Sequence, residues 1–352
     1  MMNADSSYNM RSKRFYGLKT TCLVWVLLVT GVSCELPTRT GEGQAVQQPD
    51  ETETAAPPEN EEYVMVTTAV TMPMYVNHDQ AAFKRWGEKM GVKVSILGPA
   101  DWDVPAQINT LEEVIGTRPT GILVNGTDAA LAQAINKAVA AGIPTVVYDS
   151  DIPGGRHHAF LGTDWYEIGR MQGEEMVKLT GGKGKIAYMG ILGLSNMEDG
   201  FRGLLDVLAV YPGMQVVGKY DDKASVEEAA RITSDVLAAH PDLAGLCGFD
   251  SNSGPGMALA VKELGKGGRV KITTVDWEPE HLSLVSQGII HMLAGQKREL
   301  FTWYGAQFLH DMAHGTNRLS GNDERAGITS VPEKVNTGLI RITRENVALF
   351  LP

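Results

Sequence analysis

The chain has 352 residues, of which 43% are hydrophobic and 21% charged, a globular composition that excludes wholesale disorder and a coiled-coil rod. Its net charge of −11 argues against a partner held through its phosphates, so nucleic acid is not expected. The length accommodates two domains of roughly 150 residues, each with its own core.

The charge is unevenly spread. Residues 1–34 carry +3, with Arg11, Lys13, Arg14 and Lys19 against Asp5. This basic stretch precedes an apolar run over 22–32 and the small residues Gly31 and Ser33, the pattern of a secretory signal. The run is shorter than the roughly 20 residues that a bilayer span needs. It stops at Val32-Ser33-Cys34, which resembles a bacterial lipoprotein signal, whose cysteine is lipidated and becomes the new N-terminus. Gly31 stands where that signal usually has leucine. Lipidation of Cys34 is the expectation, with plain cleavage nearby as the alternative. Cys22 and Cys34 belong to the signal, leaving Cys247 alone, so neither an internal disulfide nor a cysteine zinc site is expected. Residues 35–62 carry −7 and hold prolines, threonines, glutamines and acids with almost no large apolar side chain. Such a segment cannot bury enough surface to offset ordering, which predicts a self-repelling tether.

The remaining 290 residues carry −7, and in them short apolar runs alternate with amphipathic stretches. Runs rich in Val, Ile and Thr predict strands over 63–70, 92–97, 121–124 and 145–148, and further strands over 185–189, 215–220, 243–249, 270–275 and 289–293. Helical spacing predicts helices over 196–210, 226–240, 255–264, 280–287 and 300–314. An earlier helix starts at the Thr127-Asp128 cap, repeats apolar residues at Leu131, Ile135, Ala138 and Val139, and ends at Gly142 with Pro144 beyond. The stripe Phe83, Trp86 and Met90 reads as core. Strand–helix alternation implies α/β architecture with mostly parallel sheets covered on both faces. About ten strands exceed one comfortable sheet, so two doubly wound domains are expected. Ligands of such sheets lie beyond the carboxyl ends of the strands.

Those ends carry Thr71-Met-Pro-Met-Tyr75, Asp149-Ser-Asp151, Thr163-Asp164-Trp165, Asp250-Ser-Asn252, Asp276-Trp277 and Gln296. Carboxylates accept hydrogen bonds from hydroxyls, amides donate and accept, and an aromatic face packs on the apolar face of a sugar ring. No basic cluster accompanies them, so a neutral polyhydroxylated ligand is the natural inference.

Over 64–346 the chain resembles a periplasmic sugar-binding protein of the ribose-binding type, the receptor of an ABC importer. The resemblance rests on Asp149-Ser-Asp151, on Gly162-Thr-Asp-Trp-Tyr-Glu-Ile-Gly-Arg170, on Ala239-His-Pro-Asp-Leu243 ahead of Asp250, on Val275-Asp276 and on Thr337-Gly-Leu-Ile-Arg-Ile-Thr-Arg-Glu-Asn346. It implies two doubly wound domains joined by three crossover segments: 63–164 with 297–322, and 165–296 with 323–352. It also implies a non-enzymatic, exported, monomeric receptor without a cofactor. That receptor closes around a monosaccharide or polyol, hands it to a permease, and is held to the membrane through lipid on Cys34. Tyr75, Asp149, Asp151, Asn196, Asp250, Asp276 and Gln296 are the implied ligand-binding residues. The Asp-Ser-Asp form with Gly98-Pro99 is also similar to receptors for rhamnose and for autoinducer-2, which makes presentation of a signal the alternative. Two positions depart from the ribose pattern. Gly200 stands where the family often has an arginine, with Arg202 on another helix face, and Lys223 or Ala224 replaces an aromatic.

Rival readings have weaker support. Gly181-Gly-Lys-Gly-Lys185 lacks the Ser or Thr of a phosphate loop, because Ile186 follows. Gly254-Pro-Gly256 has Leu259 in place of the third glycine of a dinucleotide fingerprint. Gly193-Leu-Ser195-Asn-Met197 lacks the second glycine of a nucleophile elbow. A transcription regulator would share the two-domain core but begin with a DNA-binding motif rather than an export signal. His310 and His314 stand four apart on a helix, yet no third ligand has a suitable spacing in the sequence, and His314-Gly315 reads as a helix end. No metal is expected. His157-His158 is read as a solvated turn.

Overall fold

The computed structural model describes residues 61–351; the expected signal, Cys34 and the tether up to residue 60 lie outside them. The first lobe opens with β1 (Glu62–Val66), a wide helical turn (Tyr75–Gln80) running directly into α1 (Ala81–Met90), and β2 (Lys93–Leu97). It continues through α2 (Val104–Thr117), β3 (Gly121–Gly126), α3 (Ala132–Ala140), β4 (Thr145–Asp149) and β5 (Ala159–Gly162). Nearly every position of β1, β3, β4 and β5 is buried, as expected where helices cover both faces of a parallel sheet. The predicted cap of α3 forms one turn early: Asp128 accepts from the Ala130 amide at 2.7 Å, and Gly142 takes φ +76° just beyond the helix.

The second lobe contains α4 (Trp165–Thr180), β6 (Lys183–Gly190), α5 (Ser195–Ala209), β7 (Gly213–Asp221) and α6 (Val226–Ala239). It continues through β8 (Leu243–Gly248), α7 (Ser253–Glu263), β9 (Lys271–Val275), α8 (Pro279–Ser286) and β10 (Met292–Gln296). The chain then returns to the first lobe as α9 (Arg298–His314), α10 (Asp323–Ala326) and β11 (Lys334–Asn336), and crosses once more to β12 (Leu339–Thr343). The two sheets have orders β11-β5-β4-β3-β1-β2 and β12-β10-β9-β8-β6-β7. Every pairing is parallel except β10 with β12, where Leu293 faces Ile342. The predicted doubly wound pair of α/β domains with three crossings is therefore present.

Two boundaries differ from the expectation. The third crossing lies at Thr337-Gly338, not at 322/323, because Lys334–Asn336 adds to the edge of the first sheet beside Phe160, Leu161 and Gly162. The tether expected to reach residue 62 stops sooner: Glu62 pairs with Lys93 in β1, and Glu61 is buried.

Each lobe has its own core. One set of buried clusters joins Val64, Val124 and Ile135, and Tyr63, Phe83, Trp86 and Phe301; the other joins Leu246, Ile272 and Leu293, and Phe201, Phe249 and Met292. Cores that do not merge permit the lobes to move relative to one another. Within the second lobe, α4 and α5 approach through glycine. A Cβ on Gly169 would stand 1.8 Å from the Gly200 carbonyl oxygen, and one on Gly200 would stand 2.8 Å from the Phe249 ring. The glycine in place of the family's arginine is thus a packing requirement here.

Candidate ligand-binding site in the interlobe cleft

The ends of β4, β8, β9 and β10 converge on a cavity between the lobes that is partly open to solvent. Met72, Met74 and Tyr75 reach it from the loop after β1, and Trp102 from the loop after β2; Trp165, Met197 and Phe249 face it from the second lobe. Of the seven predicted residues, six line it: Tyr75, Asp149, Asn196, Asp250, Asp276 and Gln296. Asp151 does not. It sits outside this cavity, its Oδ1 3.2 Å from His157 Nε2 and its Oδ2 3.5 Å from Lys334 Nζ, and the hydrogen bond from His157 holds its carboxyl below the ordinary range. The reading of His157-His158 as solvated is corrected by the same contact. His158 is tied to the Thr145 backbone, and burial draws it below the usual imidazole value.

Asp149 and Asp276 end or follow their strands with φ +79° and +65°, a region that non-glycine residues seldom occupy. Asp276 accepts from Ser251 Oγ at 2.5 Å and from Gln296 Nε2 at 3.2 Å. Asp250 Oδ1 accepts from the Asn252 and Ser253 amides at 2.7 and 3.1 Å, opening α7. Burial, then the neighbouring Asp222, raises the Asp250 carboxyl well above the ordinary value. Three polar atoms of lining residues are buried without a protein partner: Asn196 Oδ1, Gln296 Oε1 and Trp165 Nε1. Such atoms are uncommon in folded proteins and mark where a partner is received. At the position of the missing aromatic, Lys223 and Ala224 form a left-handed turn with φ 54° and 53°, and Ala224 lines the cavity.

The largest omission from the sequence reading is Arg298. Its side chain is 2% exposed. Nε and Nη2 donate to Asp79 at 2.9 and 2.7 Å, and Nη1 and Nη2 donate to Asp149 at 3.0 and 3.1 Å. Burial raises the Asp79 carboxyl to about 7, against the pull of the guanidinium. The guanidinium also lies 5.3 Å from the centre of the Tyr75 ring. The cation in the cleft is thus already shared by two acids. Arg202, by contrast, pairs with Asp199 at 2.9 Å and is largely exposed, lining an outer hollow. Cys247 is buried, its thiol pushed up to about 12 by burial, as an inert core residue would be.

The lobes also touch. Asn77 Nδ2 donates to Glu278 Oε2 at 2.7 Å, His78 Nε2 lies 2.8 Å from Glu278 Oε1, and His78 Nδ1 lies 2.7 Å from Glu299 Oε1. Burial pulls the His78 imidazole down, but its hydrogen bonds to the two glutamates outweigh this and raise it to about 9.

Comparison with known proteins agrees with this geometry. An arabinose-binding protein, AraP, from Geobacillus stearothermophilus shares 34% identity with a TM-score of 0.73, over 83% of this chain and all of that one. A sugar-binding protein of a sugar ABC transporter from Bacillus halodurans shares 29% with a TM-score of 0.76, over 82% of this chain and all of its own. A D-apiose import binding protein of Paraburkholderia graminis is 27% identical over 198 residues, spanning 53% of this chain and 62% of that relative. Residues 63–317 match the periplasmic binding protein domain. The chain belongs to the periplasmic binding protein family.

Proposed function

We propose that the chain is an extracytoplasmic receptor that captures a monosaccharide in the interlobe cleft and delivers it to an ABC importer. It performs no chemistry on its ligand. The observation that carries this reading is the convergence of polar atoms from both lobes, several unpaired, on a cavity walled by Tyr75, Trp102, Trp165 and Phe249. Acids and amides match hydroxyls, and the aromatic faces match the apolar face of a sugar ring. Arg298 is neutralised by Asp79 and Asp149, so among the described residues the cavity lining offers no spare cation for an anionic ligand. Relatives described as binding arabinose and importing apiose support a pentose-class ligand.

The mechanism is hinge closure. Each lobe brings part of the polar shell, and the ligand favours the closed form that buries it. Asp149 and Arg298 come from the first lobe and Asn196, Asp250, Asp276 and Gln296 from the second, so neither lobe alone completes the shell. Export through the N-terminal signal and attachment through lipid on Cys34 complete the reading; membrane retention that survives Cys34→Ser contradicts the attachment. Among the described residues no helix is long and apolar enough to cross a membrane.

The function is tested by thermal shift of the protein against pentoses, hexoses, deoxyhexoses and inositols. A ligand at a hundred times its dissociation constant adds about 2.7 kcal/mol, worth several degrees at this size. One clear hit is expected; a flat panel contradicts a sugar receptor.

A further inference from the structure

At the end of the first lobe remote from the cleft, the fold supplies a third group to the histidine pair on α9. Glu61, the residue before β1, and His310 and His314 each present a ligand atom, and these atoms lie within 4.8 Å of one another. The residues are about 250 positions apart in sequence, so no spacing rule could join them. We propose that Glu61, His310 and His314 form a binding site for a divalent transition metal, zinc by its chemistry.

Several observations carry this. The two histidines are one helical turn apart, the separation that places both imidazoles on one helix face toward a single ion. Their rings stack with centroids 4.2 Å apart. The Glu61 side chain is only 3% exposed, and its Oε1 meets His314 Nε2 at 2.6 Å. Tyr63 Oη donates to the same oxygen at 3.1 Å, the kind of outer hydrogen bond that orients a ligating carboxylate. Two further atoms of the trio, Glu61 Oε2 and His310 Nδ1, are buried with no hydrogen-bond partner; the nearest acid to His310 Nδ1, Asp311 Oδ1, is 4.0 Å away, too far for a hydrogen bond. Uncompensated lone pairs around a carboxylate and two imidazoles are what a cation would satisfy.

Two imidazoles and a carboxylate suit zinc, which takes bonds of about 2.0–2.2 Å in a tetrahedron whose fourth position can hold water. In that geometry neighbouring ligand atoms stand about 3.3 Å apart, so the 2.6 Å His314–Glu61 contact must open by less than 1 Å, while the remaining separations, up to 4.8 Å, must close by as much as about 1.5 Å. The metal would clamp the last turn of α9 to the entry of β1. His310 and His314 stand 12 and 16 residues beyond Arg298 on α9, roughly 18 and 24 Å along the helix, so the clamp is separate from the sugar site.

The test uses the full chain stripped of metal, with zinc titrated against a chromophoric chelator and Co²⁺ as a spectroscopic probe. One zinc per chain, an intense tetrahedral cobalt spectrum and a zinc-dependent rise in melting temperature are expected. Glu61→Gln and His310→Gln should each lower zinc affinity by about a hundredfold or more, beyond the tenfold to hundredfold seen for outer partners. Glu61→Gln also removes an ion pair and can loosen α9; His310→Gln breaks no close ion pair and is the decisive variant. Absence of stoichiometric zinc, or zinc affinity unchanged in a folded His310→Gln chain, overturns the proposal.

Discussion

Asp149 and Asp276 take left-handed backbone conformations at corresponding places in the two lobes, the carboxyl end of β4 and the residue after β9. Left-handed placement of a non-glycine residue costs roughly 1–3 kcal/mol and persists where the surroundings enforce it. In Asp149 the enforcing group is Arg298, which also holds Asp79. A buried arginine between two acids is worth little against an apolar replacement of all three groups, but removing one partner is costly. Arg298→Met leaves two buried acids without their cation. A loss of about 3–5 kcal/mol is expected in denaturant unfolding, with sugar binding impaired through the displaced Asp149; a stability within 1 kcal/mol of the parent contradicts this role. Asp149, Asp276 and Gln296 were legible because strand ends in this architecture face the cleft. Arg298 was not, since Lys297-Arg298-Glu299 reads as the polar start of a solvated helix, and only the fold brings Asp79 against it. Asp151 misled for a related reason: two residues past a strand end, the chain has already turned toward Lys334 and His157.

Among elements, the long apolar strands were plain from composition, and the exceptions are short or polar. β11 is Lys334-Val-Asn336, too short to show alternation, so its place at the edge of the first sheet, and with it the third crossing, was hidden. The wide turn Tyr75–Gln80 was equally hidden, as helical spacing says nothing of its looser winding. That turn carries His78, which meets Glu278 of the other lobe and Glu299 at the start of α9. The pair with Glu278 bridges the cleft, so its charge belongs to the closed form. Glu299 lies in the same lobe as His78 and holds the ring whether or not the lobes meet, so only the Glu278 share of the rise to about 9 favours closure; that share is present below about pH 6.5 and is lost as pH rises through 9. Sugar affinity is expected to fall by about fivefold across that window, equivalent to roughly 1 kcal/mol for a partly exposed pair. His78→Gln should flatten the profile; an unchanged profile in that variant assigns the pH dependence elsewhere.

For the whole molecule, two separate cores, three crossings and a polar shell split between lobes suit the proposed mechanism, in which binding and closure are one event. Much of this architecture was readable, because strand–helix alternation specifies parallel sheets and the number of strands demands two of them. The Glu61, His310 and His314 cluster shows the limit of linear reading: pairing across the fold is set by where α9 docks on the first sheet. The glycine contact between α4 and α5 shows it again. At Gly200 the missing arginine looks like a functional loss in the sequence, and in the fold it is the room that Phe249 and Gly169 require. The central claim is that a monosaccharide is held in the cleft by acids of both lobes. Its most direct test is calorimetric titration of the best sugar from the thermal panel into the parent protein and Asp276→Ala. One site per chain and a loss of about 2–4 kcal/mol in the variant are predicted, the cost of stranding buried hydroxyls and the Ser251 and Gln296 donors. Equal affinity in the two proteins would place the ligand elsewhere and contradict the account.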